Sequence, residues 1–156
     1  MVKPQLSILV DFHQWIRLAG EVEPLFGPMV EDPGFHEGLR RSISEGNAFC
    51  VRVSDGESGS TLQGGIIISR EENEILWFAV AQGCRGQGIG KALLEEAIGH
   101  LDQSRPMTVI TFDKSVEAGI PARRLYRMYG FDDHRPGDLN PAGVPTVIMA
   151  RLNERG

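Results

Sequence analysis

A glycine-rich segment with two basic residues is the part of this sequence best suited to bind an anion. It spans residues 82–91 and reads QGCRGQGIGK. The segment follows a strand-like apolar run and precedes a helical pattern, so its backbone N–H groups would lie at a helix N-terminus. Glycines at 86, 88 and 90 would let a bulky group approach the backbone, and Arg85 and Lys91 add positive charge. We therefore expect a ligand that carries a diphosphate.

The spacing of this segment excludes two common phosphate-binding motifs. A P-loop requires G-x-x-x-x-G-K-[ST], but Arg85 stands at the first glycine and Ala92 at the hydroxyl position. A dinucleotide-binding G-x-G-x-x-G would need glycine at position 91 or 93, where the sequence has lysine and leucine. What remains is R-x-x-G-x-G, which begins at Arg85 and enters a long amphipathic helix.

A second motif lies further along the chain, at residues 122–131, which read ARRLYRMYGF. This segment resembles the A-x-x-L-Y-x-x-x-G-F segment of the GNAT superfamily of N-acetyltransferases. The R-x-x-G-x-G pattern resembles the coenzyme A pyrophosphate loop of the same superfamily. The two motifs have the correct order and separation, and the resemblance covers essentially the whole chain.

The resemblance implies that acetyl-CoA binds as a co-substrate, without a metal. Backbone groups near Phe78 and Val80 would pair with the pantetheine amides, and the amide of Val80 or of a neighbour would polarise the thioester carbonyl. The residues implied for the pyrophosphate are Arg85, Gly86, Gly88, Gly90 and Lys91.

The resemblance also implies two catalytic residues for direct attack of an amine on the acetyl thioester. Tyr126 stands where the family commonly has the general acid, and a phenol with a pKa of about 10 suits a thiolate leaving group. Packing of Tyr126 between its helix and the sheet is the alternative. Glu74, six residues before Val80, resembles the base position of the histone-acetyltransferase-like branch. The alternative for Glu74 is the solvated end of the charged turn REEN.

One position departs from the family pattern. Many members carry an asparagine seven residues before the helix tyrosine, and it contacts the cofactor, but this sequence has Gly119 there. That contact would be missing or replaced, with Asp113, Lys114 and Ser115 as the candidates nearby.

These features predict an enzyme that transfers the acetyl group of acetyl-CoA to a primary amine of a small molecule, an amino acid or a peptide. The alternative is a catalytically silent acyl-CoA-binding or regulatory module of the same fold. The acceptor would lie between the stretch Pro24–His36 and the loop Asp132–Pro145. A homodimer through the C-terminal strands is a further expectation from the resemblance.

Composition and charge exclude several other classes of protein. The 156 residues include 16 basic and 21 acidic ones, a net charge of −5, whereas a nucleic-acid binder normally has a basic stripe. No apolar run approaches the roughly 18 residues of a membrane span, and the N-terminus lacks a signal-peptide pattern. Histidines and cysteines show no metal-ligand spacing. We expect a cytoplasmic protein without nucleic-acid, membrane or metal partners.

The elements that must position these residues form one mixed α/β domain over residues 1–156. The resemblance implies a mostly antiparallel sheet of six to seven strands flanked by about four helices. The predicted strands are Leu6–Val10, Phe49–Val53, Thr61–Ser69, Glu74–Ala81, Thr108–Phe112 and Val144–Leu152, with a hairpin tip at Ser54–Ser60. The predicted helices begin at Asp11 as N-cap, cover Phe35–Ser44, begin at Ile89 and cover Pro121–Tyr129.

Overall fold

Seven strands and four helices are present in a computed structural model that describes residues 2–54 and 60–152. Within these residues the strands are β1 (Gln5–Leu6), β2 (Ala48–Ser54), β3 (Ser60–Ser69), β4 (Glu74–Val80), β5 (Met107–Phe112), β6 (Asp132–Pro136) and β7 (Thr146–Arg151). The helices are α1 (Phe12–Phe26), α2 (Pro33–Ser44), α3 (Ile89–His100) and α4 (Ile120–Met128).

The seven strands form one sheet in the order β1-β2-β3-β4-β5-β7-β6. Every neighbouring pair is antiparallel except β4 and β5, which are parallel because α3 provides the crossover between them. The predicted mixed, mostly antiparallel sheet with four helices is thereby confirmed.

The pairing of β4 with β5 is short. Only Glu74 with Thr108 and Ile75 with Val109 are in register, although β4 continues for five more residues. Beyond this point the two strands diverge. The sheet therefore has a gap in its centre, and the glycine-rich segment follows the end of β4 beside that gap.

Apolar side chains cover both faces of the sheet. Phe49 and Val51 of β2 belong to a buried cluster that includes the apolar side of α3, whereas Ala48 and Cys50 pack with residues of α1 and α2. Leu93 of α3 is fully buried. Burying a leucine side chain of this kind contributes about 1.5–3 kcal/mol, so α3 is fixed firmly beside the gap.

The first element differs from the predicted strand Leu6–Val10. The strand β1 contains only Gln5–Leu6, and residues 9–11 form a single turn of 3-10 helix before α1. Asp11 precedes α1 as expected, but its carboxylate does not cap that helix. It accepts the N–H of Ile8 at 2.8 Å and pairs with Arg52 at 2.7 Å, which turns the chain away from the sheet.

Two further differences concern segments with weak sequence signals. Helix α1 continues through Pro24 to Phe26, because a proline in the last turn removes one backbone hydrogen bond without stopping the helix. Strand β6 was predicted as part of a loop, since its residues are all exposed and lack apolar alternation. The hairpin Ser54–Ser60 pairs at its ends, while its tip, residues 55–59, lies outside the described residues.

Candidate active site

A cavity of about 600 Å³ occupies the gap between β4 and β5. Its wall comes from both diverging strands, the glycine-rich segment, the start of α3, α4 and the end of α1. Eight of the nine predicted site residues line it: Phe78, Val80, Arg85, Gly86, Gly88, Gly90, Lys91 and Tyr126. The ninth, Glu74, is not part of this wall.

The conformation of the glycine-rich segment requires glycine at two positions. Gly86 and Gly88 have φ angles of 79° and 80°, in the left-handed region that other residues rarely adopt. A Cβ added at either position would meet nothing within 4 Å, so backbone conformation and not local crowding requires the glycine. Gly90 differs, because its Cβ would lie 3.4 Å from atoms of Leu125 and Phe78.

The N-terminus of α3 is open toward the cavity. Gly88 is its N-cap and offers no side chain to the N–H groups of the first turn. Arg85 and Lys91 line the cavity on either side, and neither forms an ion pair within the described part of the chain. Free N–H groups, the positive helix end and two cations fit an anionic group such as a diphosphate.

Strand β4 contains a β-bulge beside the cavity. Ile75 is opposite Ile68 and Trp77 is opposite Ile67, so Leu76 is the extra residue. The bulge alters which way the following side chains point. Phe78 then packs with the cluster beneath α3, and Trp77 packs with the residues of α1 on the other face.

Tyr126 is buried at the cavity wall, with 3% of its surface exposed. Its ring centroid lies 6.0 Å from that of Phe78 and 5.8 Å from that of Phe131. Burial raises the pKa of Tyr126 above the ordinary phenol value, so its hydroxyl keeps its proton at neutral pH. Tyr129, by contrast, lies outside the cavity wall and donates a hydrogen bond to Glu95 at 2.8 Å.

Glu74 lies at the start of β4, where it pairs with Ser69 and Thr108. Burial, and secondarily the nearby Glu72, raise the pKa of its carboxyl. Its neighbour Ile75 lines the cavity but Glu74 does not. The predicted base Glu74 and the predicted acid Tyr126 therefore do not line the same cavity.

The glycine that replaces the family asparagine has a packing role. A Cβ at Gly119 would lie 2.6 Å from Cβ of Phe112, closer than the two atoms can approach. Gly119 thus allows the start of α4 to pack on β5. The suggested substitutes Asp113, Lys114 and Ser115 do not line the cavity, and the Asp113 carboxylate instead accepts the N–H of Ser115 at 3.0 Å.

The end of the cavity beside α1 is apolar and aromatic. The ring centroid of Phe26 lies 6.0 Å from that of Trp77 and 5.7 Å from that of Phe112, and all three residues line the cavity. Asn140, from the loop between β6 and β7, lines the same end and donates a hydrogen bond to the Leu25 carbonyl at 2.7 Å. The dipeptide Asn140-Pro141 predicts a turn. The contact of Asn140 with α1 could not be predicted, because no local sequence pattern indicates it.

The described residues hold neither a cluster of metal-ligand side chains nor a membrane-spanning helix. No group of three or more histidine, cysteine, aspartate or glutamate side chains could hold a metal ion there. None of the helices in the described ranges has the length and apolar character needed to cross a bilayer.

Comparisons with known proteins identify the family. The sequence profile described as an acetyltransferase (GNAT) domain matches residues 26–152. No curated protein gives a significant sequence match.

Several solved structures share the fold over nearly the whole chain. NAA60 from Arabidopsis thaliana, in complex with acetyl-CoA, has a TM-score of 0.72 at 14% identity, with 99% of each chain covered. Ard1 from Thermoplasma volcanium has a TM-score of 0.72 at 18% identity, with 97% of each chain covered. A phosphinothricin acetyltransferase from Sinorhizobium meliloti, in complex with acetyl-CoA, has a TM-score of 0.69 at 22% identity, with 98% of this chain and 89% of that one covered. With a profile match over most of its length, the chain belongs to the GNAT acetyltransferase family of acyltransferases.

Proposed function

We propose that this protein is an N-acetyltransferase that transfers the acetyl group of acetyl-CoA to a primary amine of a small molecule, an amino acid or a peptide. One observation carries the proposal: a single cavity joins the N-terminus of α3 and two cationic side chains to the gap between β4 and β5 and to the buried residue Tyr126. An extended ligand with a diphosphate at one end and a reactive group at the other suits this shape.

The residues of the cavity suit the parts of acetyl-CoA in turn. Gly86 and Gly88 expose backbone N–H groups, and Arg85 and Lys91 would neutralise the diphosphate charge. Phe78 and Val80 line the gap that would hold the pantetheine arm. Acetyl-CoA would supply an acetyl group that is already activated as a thioester. Two structural neighbours from other organisms were solved with acetyl-CoA, which supports this choice of co-substrate.

Tyr126 would act as the general acid. Tyr126 lines the cavity, and its raised pKa keeps the hydroxyl protonated at neutral pH, as a proton donor requires. The proton would pass to the sulfur as the C–S bond breaks. Tyr126 would donate its proton at the hydroxyl oxygen and recover a proton from solvent afterwards.

Glu74 is the candidate for the general base. A carboxyl with a raised pKa suits a general base near neutral pH, yet Glu74 lies outside the cavity wall. We therefore propose that any base action of Glu74 occurs through water and not by contact with the acceptor.

A silent acyl-CoA-binding module is the second candidate. The absence of Glu74 from the cavity wall favours it, because such a module needs the glycine-rich segment but no base. The position of Tyr126, buried in the cavity wall, favours the enzyme, because a silent module needs no proton donor there.

Ligand-induced stabilisation tests the choice of co-substrate. Acetyl-CoA at about 100 times its Kd should stabilise the protein by about 2.7 kcal/mol. For a domain of this size that corresponds to a rise in Tm of about 5–10 °C. CoA should act similarly, whereas ATP and NAD should have much smaller effects. Stabilisation by ATP alone would contradict the proposal. Release of free thiol in the presence of an amine would then separate the enzyme from the silent module.

A further inference from the structure

The end of the cavity where an acceptor would meet the thioester is apolar. Phe26, Trp77 and Phe112 form its aromatic wall, and two apolar residues flank the mouth on the diverging strands. These two, Leu76 of β4 and Ile110 of β5, are 53% and 56% exposed, so both present apolar surface to a molecule that enters the cavity. An acceptor entering here leaves water for a hydrocarbon surface.

Two carboxylates on the last turns of α1 have backbone partners. Glu23 accepts the N–H groups of Met29 and Val30, both at 2.7 Å, and these bonds lower its pKa. Glu21 accepts the N–H of Gln82 at 2.8 Å. Both side chains therefore hold loops in place, although they lie on the last turns of α1 beside residues that line the cavity.

Two contacts join the loop between β6 and β7 to the end of α1. Besides the hydrogen bond from Asn140 to Leu25, Gly27 packs so closely on Pro141 that an added Cβ would lie 2.6 Å from it. The titratable side chains that line the cavity in the described part of the chain are Cys84, Arg85, Lys91 and Tyr126. None of these four side chains is a carboxylate, so this wall offers no carboxylate to stabilise an ammonium group.

We propose that the acceptor is a weakly basic primary amine attached next to an apolar group, such as the α-amino group of an apolar amino-acid amide or peptide. This inference rests on the proposed function and specifies the acceptor of the same site. A strongly basic alkylamine, such as a polyamine or a lysine side chain, is the acceptor class that the cavity disfavours.

Proton balance explains the preference. The neutral nitrogen forms the C–N bond, the C–S bond breaks, Tyr126 protonates the sulfur, and the proton lost by the nitrogen passes to solvent. An α-amino group with a pKa of about 7.7–8.0 is partly neutral at pH 7, whereas an alkylamine with a pKa of about 10.4 is almost wholly charged. The neutral fraction differs by about 300-fold. Moving an ammonium group from water to this wall, where it has no anionic partner, would also cost desolvation free energy.

A neighbouring recess of about 420 Å³ has an acidic side chain in its wall. Its wall includes Asp138 and also Arg135, and it shares Ile110, Asn140 and Thr146 with the cavity. Because one acidic and one basic residue line this recess, it offers little net attraction for a cationic acceptor.

Competition between two amines tests the proposal. The protein is incubated at pH 7 with acetyl-CoA and equal amounts of L-leucinamide and Nα-acetyl-L-lysinamide, and both acetylated products are measured by mass spectrometry. We expect kcat/KM for L-leucinamide to be at least about tenfold higher, since the better intrinsic nucleophilicity of the alkylamine offsets part of the difference in neutral fraction. Its kcat/KM should level off above about pH 8, and that of the alkylamine should keep rising.

Variants of Leu76 test whether the apolar mouth causes this selectivity. Leu76→Glu adds a carboxylate at the mouth, whereas Leu76→Gln removes the apolar side chain without adding charge. Both variants should raise the relative use of the alkylamine, and the increase should be several-fold larger for Leu76→Glu, because only its carboxylate stabilises an ammonium group. A wild-type preference for the alkylamine, or equal changes in the two variants, would overturn the acceptor assignment and leave the acetyltransferase proposal intact. Absence of both product and stabilisation by acetyl-CoA would instead contradict the proposed function.

Discussion

Two tyrosines three residues apart illustrate how environment decides what a side chain can do. Tyr126 is buried at the cavity wall against Phe78 and Phe131, whereas Tyr129 donates its hydroxyl to Glu95 outside the cavity. The pKa of Tyr129 is raised to about 12, by burial and by that glutamate. Both hydroxyls stay protonated at neutral pH, but of the two residues only Tyr126 lines the cavity.

This difference provides a matched pair of variants. Tyr126→Phe should lower kcat by about tenfold or more, because the thiolate loses its proton donor, while the Kd for acetyl-CoA stays nearly constant. Tyr129→Phe should leave kcat within about twofold of the wild type. Steady-state thiol release and calorimetric titration provide the two readouts. Equal kcat values for the two variants would remove Tyr126 from the acid role.

Replacement of Glu74 tests the base. Because Glu74 lies outside the cavity wall, we expect Glu74→Gln to lower kcat/KM by less than about threefold and to leave the pH at half-maximal rate unchanged. The measurement is a pH–rate profile with L-leucinamide. A loss of more than about tenfold, with disappearance of the acidic limb of the profile, would show that Glu74 acts as the base despite its position.

Sequence reasoning at the level of residues was most informative where a motif was present. Residues of the glycine-rich segment and Tyr126 line one cavity, which agrees with the arrangement that the resemblance implied, and their roles stay predictions. The role of Gly119 could not be predicted, because it depends on how close Phe112 of another element comes. The same holds for Glu74, whose position relative to the cavity depends on where β4 and β5 separate.

The element that defines the site is the turn from β4 into α3. The left-handed glycines of this turn determine the path of its backbone. The bulge at Leu76 determines which way the later side chains of β4 point. Long periodic elements such as α3 were predictable because apolar residues repeat at helical spacing. The short strands β1 and β6 were not predicted correctly, since the exposed residues of an edge strand show no alternation.

A single methyl group tests the role of this turn. At Gly88, with φ of 80°, alanine is strained by about 1–2 kcal/mol, so the turn should relax and its N–H groups should move away from the ligand. We expect Gly88→Ala to raise the Kd for acetyl-CoA by about tenfold. Gly83→Ala is the control in the same segment, because Gly83 has no left-handed φ and an added Cβ meets nothing within 4 Å. An unchanged Kd for Gly88→Ala, measured by calorimetry, would contradict the anion-binding role.

At the scale of the whole molecule, the sheet and its central gap determine the site. The fold class followed from the order of the elements, but the two-residue pairing of β4 with β5 is a tertiary property with no local pattern. The expected homodimer stays a prediction. Strand β6 lies at the sheet edge, and its charged residues and Pro136 disfavour further strand pairing there.

Transfer of a labelled acetyl group tests the central claim most directly. The protein is incubated with acetyl-CoA labelled in its acetyl carbons and with a panel of α-amines and alkylamines, and label and free thiol are both measured. We predict label on the acceptor nitrogen in an amount equal to the thiol released, with a loss of about tenfold or more in Tyr126→Phe. Stabilisation by acetyl-CoA without label in any acceptor would contradict the enzymatic assignment and favour the silent acyl-CoA-binding module.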